Sequence, residues 1–452
     1  MENNEKIHRR IYGIHFTPIE ILNQYILPQI QNFIYDYKWV DLFCGEGNLI
    51  LPILNLIPKE DRPLFFKEHI LCFDINQQAV DRAINNATEY GIPRELAKEN
   101  IMVRDTLKDY PEIDGEFPIF HITNPPYLYL GYIRKHKETT NELVYFQREN
   151  DGYQDLYQIA LMNDLRHEIT NMIYVIPSNF LFSDAGANKI RKDFLRHYKI
   201  NSCYIFEKKI FDYTGTNVLI VNFVRTNLLN SKIEFDAYKI NSKVEKLRYT
   251  LLEKNKFKPN NQYSDYLKYN FKRDHLQVKF YLDYDEIVMN KGEHQVVLLN
   301  SKNYVNGQYT KETFHINDLL YRKINSNPLF VRTVDTGSLD GKAGIYSIRD
   351  EFGAEGIFVK GSTYRTNPIQ IFIEPELTDG ESRVLMDLFN KILNDLRDKT
   401  GGDFMTTYKY SDTPKYIRKY LGLKQVKEIL TSINIKDLKD SLEVEWLLKH
   451  SD

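Results

Sequence analysis

The chain is poor in the residues that build covalent or metal staples. Among its 452 residues there are three cysteines, Cys44, Cys72 and Cys203, odd in number and far apart. No CxxC pair or Cys/His zinc spacing accompanies them. That excludes a disulfide framework, leads us to expect no metal site, and fits reduced thiols in a cytoplasmic protein. No apolar run approaches membrane-spanning length, and Met1 to Arg10 is polar and charged, without the apolar core of a signal peptide. No membrane contact is expected. Charge of one sign is also missing: 60 Lys and Arg stand against 62 Asp and Glu, a net charge of -2. Such a chain is no polycation, so any nucleic-acid surface must be a local patch. No convincing pair of acids with E-x-K, as a metal-dependent nuclease needs, stands near a strand pair. What is present suits a soluble globular protein of two or three domains: 42% hydrophobic, 27% charged, and rich in tyrosine, with 32.

From Ile14 to about Arg225, short apolar runs alternate with helical stretches. Strands are expected at Lys38 to Phe43, Ile70 to Asp74, Ile101 to Val103, Pro118 to Thr123, Met172 to Pro177, Ser202 to Phe206 and Val218 to Val224. Helices are expected at Asn48 to Leu56, Gln77 to Tyr90, Asp155 to Glu168 and Ala187 to His197. Alternation of this kind argues for a mostly parallel α/β sheet covered on both faces. After Arg225 the alternation is lost and Asn, Lys and Tyr become frequent. There Thr378-Asp379-Gly380-Glu381 reads as a capping box opening a helix that Gly401-Gly402 closes. The expected division is an α/β catalytic domain over 1–225 and an α+β domain over 226–452.

Asn124-Pro125-Pro126-Tyr127 follows the fourth expected strand. Two prolines cannot continue a helix or a central strand, so the chain turns out of the sheet there. The turn presents an amide oxygen, a backbone carbonyl and an aromatic ring at one sheet edge. Those groups suit a flat substrate bearing an amino group: two acceptors for its N–H bonds and a ring to stack on. Composition alone yields this tetrapeptide in roughly one in a thousand chains of this length. Three further features lie at neighbouring strand ends. The turn Asp41-Leu42-Phe43-Cys44-Gly45-Glu46-Gly47 permits close backbone approach to a ligand. Asp74 is placed to bridge ribose hydroxyls, or else to cap the following helix. Asp105 is placed to accept from an amino group, or else is a loop residue. Together these features line the crevice where open α/β sheets bind ligands.

This combination resembles the S-adenosylmethionine-dependent methyltransferases of class I, with their Rossmann-like, doubly wound sheet. Within them it resembles the gamma-class adenine-N6 DNA methyltransferases of restriction-modification systems. The resemblance covers about residues 12 to 225. It implies S-adenosyl-L-methionine as cofactor, held by Asp41, Phe43, Gly45 and Gly47, by Asp74 and Ile75 at ribose and adenine, by Asp105 at the adenine amino group, and by Thr17 of His15-Phe16-Thr17-Pro18 at the methionine end. It implies Asn124, Pro125, Pro126 and Tyr127 as the catalytic motif, and Phe211 as a second aromatic facing a flipped base, with Tyr213 as competitor. Two positions depart from the pattern. Thr106 follows Asp105 where an apolar or aromatic residue is common, and the polar loop Pro58 to His69 lengthens the gap between Gly47 and Asp74.

Double-stranded DNA is the implied partner, together with a separate restriction endonuclease. From Lys239 to Arg273, ten Lys/Arg stand against three acids, with six aromatics interleaved. Lys254, Lys256, Lys258 and Arg273 are the contacts expected from that stretch, and Tyr408, Lys409 and Arg418 from a second one. Gly361 to Arg365 is a candidate recognition loop. The alternatives are a protein-glutamine or ribosomal-RNA N-methyltransferase, which shares the four-residue motif, and a non-catalytic DNA-specificity subunit. Cytosine-N4 enzymes usually carry Ser in place of Asn124.

Overall fold

The computed structural model describes residues 17–183, 186–208, 210–211, 217–259, 261–270, 276–334, 342–363, 366–407, 419–434, 436 and 438. The chain divides into two compact units: Met1–Pro259 with Thr407–Ile417, and Asn260–Thr406 with Arg418–Asp452.

The first unit is built on a nine-stranded sheet. Its strands are β1 (Lys38–Asp41), β2 (Ile70–Asp74), β3 (Ile101–Val103), β4 (Ile119–Thr123), β5 (Asn171–Pro177), β6 (Tyr198–Phe206), β7 (Val218–Arg225), β8 (Lys232–Ile240) and β9 (Val244–Leu252). Their order across the sheet is β3-β2-β1-β4-β5-β7-β6-β8-β9. The first five pair in parallel, and β7 runs antiparallel between β5 and β6. The order reverses between β1 and β4, which makes that pair the topological switch point. Strand β5 is buried from Met172 to Pro177, as a strand covered on both faces must be. The sheet does not stop at Arg225, where the sequence changes texture. Strand β8 continues it by parallel pairing with β6, and β9 closes on β8.

The run expected as a helix after the glycine turn is instead a 3₁₀ segment, Leu51–Leu56, preceded by turns. Pro52 near its start has no N–H to give, which favours a short, tight segment over a longer α-helix. The other expected helices form, with ends shifted by a residue or two: Gln77–Glu89, Leu156–Arg166 and Asn188–Leu195.

A buried polar cluster fixes the helix Leu156–Arg166 to the sheet. The Asp164 carboxylate lies 2.9 Å from Nδ1 of His121 on β4 and accepts from Tyr174 Oη on β5 at 2.6 Å and from Tyr110 Oη at 2.9 Å. Both His121 and Asp164 are fully buried. Breaking such a pair on one side leaves an uncompensated buried group, so the cluster specifies how the helix seats. The N-terminus of that helix lies beside the loop after β4, as shown below.

The second unit holds a four-stranded antiparallel sheet. It is formed by β10 (Gln277–Phe280), β13 (Leu329–Arg332), β14 (Gly344–Ser347) and β16 (Ile369–Glu374), in the order β10-β16-β13-β14. A second sheet joins β11 (Lys291–Val305), β12 (Gln308–Ile316) and β15 (Gly356–Phe358). The helix Asp379–Thr400 opens on the expected capping box. Thr378 Oγ1 accepts from Glu381 N, and Glu381 Oε2 accepts from Thr378 N. Gly401 ends it with φ 58°. Its apolar face, Leu385, Phe389, Leu393 and Leu396, is buried in this unit's core.

Phe223 tests the packing of the first unit. It is fully buried, with its ring 5.0 Å from that of Phe194 and 5.8 Å from that of Phe180. Phe223→Ala is expected to lower stability by about 3–5 kcal/mol, read as a lower denaturation midpoint in urea.

Candidate active site

The glycine turn after β1 is held from both sides. Cys44 N donates to Phe73 O at 2.8 Å, and Gly45 N donates to Asp74 Oδ2 at 2.8 Å. Gly45 and Gly47 have φ of 55° and 85°, conformations that L side chains avoid. A Cβ on Gly47 would also lie 2.4 Å from Leu51 Cδ1. The turn thus brings bare backbone to the end of β1.

Asp74 does not cap the next helix. Asn76 does, accepting from Gln78 N and Ala79 N. Asp74 instead takes N–H groups from Gly45 and Asn76, both at 2.8 Å. Ile75 beside it is 60% exposed, an apolar side chain left in water next to that strand end. Asp105 accepts from Tyr145 Oη at 2.8 Å. Thr106, the departure from the expected pattern, is buried, and its hydroxyl donates to Leu42 O at 2.9 Å, tying the end of β3 to the end of β1. A polar residue there serves as a brace in place of a stacking surface.

The loop after β4 meets the glycine turn across the switch point. Thr123 Oγ1 donates to Asp41 Oδ1, which also accepts from Phe43 N at 3.0 Å. The next residue, Asn124, gives its Nδ2 to Thr17 Oγ1 at 3.0 Å. Its Oδ1 accepts from Tyr127 Oη, whose hydroxyl also lies 2.7 Å from Val175 O. One O–H thus lies within reach of two acceptors, the Asn124 amide oxygen and the Val175 carbonyl. Among the described residues no donor reaches the Pro125 carbonyl. A small cleft is lined by Thr17, Asp41, Phe43, Gly45 and Asn124 together with Cys44, Glu46, Asn48 and Leu49. It unites the glycine turn with the Asn124 loop, while Asp74, Ile75 and Asp105 stand at the neighbouring strand ends. The rings of Tyr127 and Phe211 are 6.3 Å apart, and both are buried. Tyr213 and the segment His15-Phe16 lie outside the described residues.

Burial sets the electrostatics. It pushes the Asp41 carboxyl up to about 7, against the lowering pull of the Thr123 hydroxyl and the Phe43 N–H. Asp74 is raised by the same cause, and the Tyr127 hydroxyl lies well above its ordinary range. Among the described residues, Asp41 Oδ2 is buried with no hydrogen-bond partner. A lone buried carboxylate oxygen on a cleft wall favours a ligand that brings positive charge or N–H donors. An ammonium or sulfonium group fits that donor set.

Three residues beyond the sequence reading join the site. Asp155, at the head of the helix Leu156–Arg166, accepts from Leu128 N at 2.9 Å, and Leu130 N donates to Gln154 O at 2.9 Å. Together they clamp the chain just after Tyr127. Burial pushes Asp155 up to about 7. Asn217, which begins the approach to β7, has its Oδ1 buried without a partner among the described residues, and its carbonyl accepts from Ser178 N. The third is Tyr145. An Asp just before an apolar helical run was the signal for Asp155; none marked Asn217 or Tyr145.

The basic stretch Lys239 to Arg273 is not one surface. Lys239 lies buried on β8, Lys254 and Lys256 are exposed in the turn after β9, and Asn261–Asn270 is a helix of the second unit. Lys258 is only 7% exposed, so the expected DNA contact there is corrected: its side chain is packed against protein. Arg273, Tyr408, Lys409, Arg418 and the pair Tyr364-Arg365 lie outside the described residues. No group of three or more metal-ligating side chains occurs among the described residues, and no described helix is long and apolar enough to cross a membrane.

Comparison with known proteins gives one family. The sequence profile of N-6 DNA Methylase matches residues 1–313. No curated protein matches the chain. Among solved structures, similarity extends to a nuclease-deletion mutant of the type ISP restriction-modification enzyme LlaGI in complex with a DNA substrate mimic, at 13% identity over 88% of this chain and 46% of that one, TM-score 0.47. It extends also to the DrdV–DNA complex, at 14% identity over 55% and 31%, TM-score 0.40. A third is a type I restriction-modification methyltransferase subunit from Streptococcus thermophilus, at 18% identity over 50% and 48%, TM-score 0.34. The chain spans less than half the length of each.

The raised carboxyls predict a pH dependence. A group whose folded pKa is raised from 3.8 to about 7 binds more protons in the folded state across that interval, so stability falls as pH rises through it. Without ligand, urea stability is expected to drop between about pH 4 and pH 7 and to level off above. Asp41→Asn removes on the order of a few kcal/mol of that drop. An unchanged slope in the variant would show that Asp41 is not a strained buried acid.

Proposed function

The chain belongs to the N-6 DNA methylase family, and from that premise we propose that it is a site-specific DNA methyltransferase. It transfers the methyl group of S-adenosyl-L-methionine to the exocyclic N6 of an adenine flipped out of duplex DNA. It serves as the modification enzyme of a restriction-modification system and works in the cytoplasm. Cleavage in such a system is assigned to a separate nuclease, the partner expected from the sequence. The observation that carries the reading is the union of Asp41 and Asn124 in one cleft through the Thr123 hydroxyl.

When bound, the cofactor supplies an activated methyl group on a sulfonium leaving group. Asp41 Oδ2, the backbone from Phe43 to Gly47, and Thr17 are the groups that would hold its methionine end. Asp74 would take the ribose hydroxyls, Ile75 the adenine face, and Asp105 the adenine amino group. A cation beside Asp41 favours the ionised carboxylate and so offsets the burial that raises its pKa.

The chain's own residues act on the target base. Its exocyclic nitrogen is a weak nucleophile because the lone pair is delocalised into the ring. Acceptors at Asn124 Oδ1 and the Pro125 carbonyl take the two N–H bonds and favour a pyramidal nitrogen with its lone pair directed outward; once methylated, the cationic nitrogen gives one of those protons to water. Thr17, by accepting from Nδ2, keeps the amide oxygen turned toward the base. As the base enters, the Tyr127 hydroxyl passes to Val175 O. Tyr127 and Phe211 then stack on the base, offsetting part of the few kcal/mol of unstacking. Asp155 holds the loop so that these groups arrive in place, and positioning supplies most of the catalysis.

The exposed Lys254 and Lys256, and the segments holding Arg273, Tyr408, Lys409 and Arg418, are proposed DNA-backbone contacts. In place of the whole of 226–452 expected from the sequence, the second unit, Asn260–Thr406 with Arg418–Asp452, is proposed as the DNA target-recognition domain.

Asn124→Ala is expected to lower methyl transfer to DNA by roughly 10²–10³-fold while cofactor binding persists. Transfer of labelled methyl groups to unmodified plasmid DNA, beside equilibrium cofactor binding, measures both. Unchanged transfer would remove Asn124 from the mechanism.

A further inference from the structure

The second unit carries a β-ribbon whose tip is organised yet exposed. Strands β11 and β12 pair from Gln295↔His315 to Leu299↔Lys311, and again at Tyr304↔Tyr309 and Val305↔Gln308. Between those registers β11 advances five residues and β12 two, so β11 carries a wide bulge over Asn300 to Asn303. The bulge is pinned. Ser301 Oγ donates to Phe358 O at 2.9 Å, Asn300 Nδ2 donates to Glu312 Oε1 at 2.8 Å, and Asn300 Oδ1 accepts from Lys302 N at 3.0 Å. Asn300 and Ser301 are buried.

Beyond the bulge the ribbon closes through Asn306-Gly307, with φ of 50° and 82°, the pattern of a tight two-residue hairpin turn. Tyr309 is tied down by its hydroxyl, which donates to Asn367 O at 2.6 Å, and Tyr304 packs edge-on against it, with centroids 4.7 Å apart. Yet Tyr304 is 60% exposed and Val305 51% exposed. The ribbon therefore holds an aromatic and a β-branched side chain in water at a fixed place. From Asn300 to Lys311 there is no acidic residue, while Lys302 and Lys311 are present, in a chain where acids outnumber bases. Amide side chains, Asn303, Asn306 and Gln308, fill the rest of the exposed tip.

Resting on the enzyme reading above, we propose that the ribbon tip Lys302 to Gln308 enters a groove of the target duplex and reads sequence there. A major groove admits a two-stranded ribbon, amides pair bidentately with adenine edges, and apolar groups meet thymine methyls. The absence of acids suits a polyanion, and the bulge bends the ribbon and fixes its aim, so little ordering cost falls on binding. This assigns base readout to β11–β12 rather than to the loop at Gly361.

The test uses the full chain with Tyr304→Ala and, separately, Gln308→Ala, both at exposed positions. Chromosomal DNA free of adenine methylation is incubated with cofactor and each protein, then read by single-molecule sequencing. Thermal unfolding and cofactor binding are expected to match the wild type. Methylation of the wild-type context is expected to fall roughly ten- to hundredfold, or to spread to contexts differing at one position. If the wild type methylates DNA and both variants methylate the same contexts within twofold, the ribbon's role is overturned and the enzyme reading stands. Variants that lose only a protein–protein association, with methylation unchanged, overturn it equally. If the wild type itself transfers no methyl group to DNA, both readings fall.

Discussion

The hydrogen bond from the Thr123 hydroxyl to Asp41 joins the carboxyl ends of two neighbouring parallel strands whose connections leave in opposite directions. Everything at the site hangs from that junction. On one side the glycine turn brings bare N–H groups and an unpartnered carboxylate oxygen to the crevice. On the other, the chain leaves the sheet through two prolines and delivers an amide and a ring. Either half alone is an ordinary loop. Held within one hydrogen bond of each other, they set a cation-favouring wall beside a pair of acceptors for an amine.

Keeping that junction costs stability. Asp41 is fully buried and Asp155 half-buried, and both are pushed up to about 7 by loss of solvent. Neither improves the fold when ionised. Asp155 nevertheless fixes the loop after Tyr127, and Asp41 leaves an oxygen free for a positively charged partner. Their retention against a desolvation cost, at the strand ends of a switch point, supports the proposed roles in binding and catalysis. The cost is offset elsewhere in the unit by close-packed aromatics such as Phe180, Phe194 and Phe223.

Much of the first unit was legible because its signals are local. Apolar runs ending in Asp or Asn marked strand ends, and the Asn124 tetrapeptide marked the departure from the sheet. In the second unit, the capping box at Thr378 marked a helix start. What escaped was non-local. The pairing of β8 with β6 left no trace at Arg225, where composition changes but the sheet continues. The basic stretch after Lys239 read as one patch because sequence does not show which lysines turn inward; Lys239 and Lys258 do. Asp155 meets the loop after β4 from 27 residues away, a distance no periodicity reports. The ribbon β11–β12 went unread although Asn306-Gly307 marks its turn, because its long bulge breaks the two-residue alternation that would have flagged the strands.

The central claim is that the amine held by Asn124 and Pro125 is adenine N6 in DNA. Digesting duplex DNA to nucleosides after incubation with methyl-labelled cofactor, and identifying the labelled nucleoside by mass, tests it most directly. The account predicts label in N6-methyl-deoxyadenosine. Label in N4-methyl-deoxycytidine, or in protein alone, would contradict it.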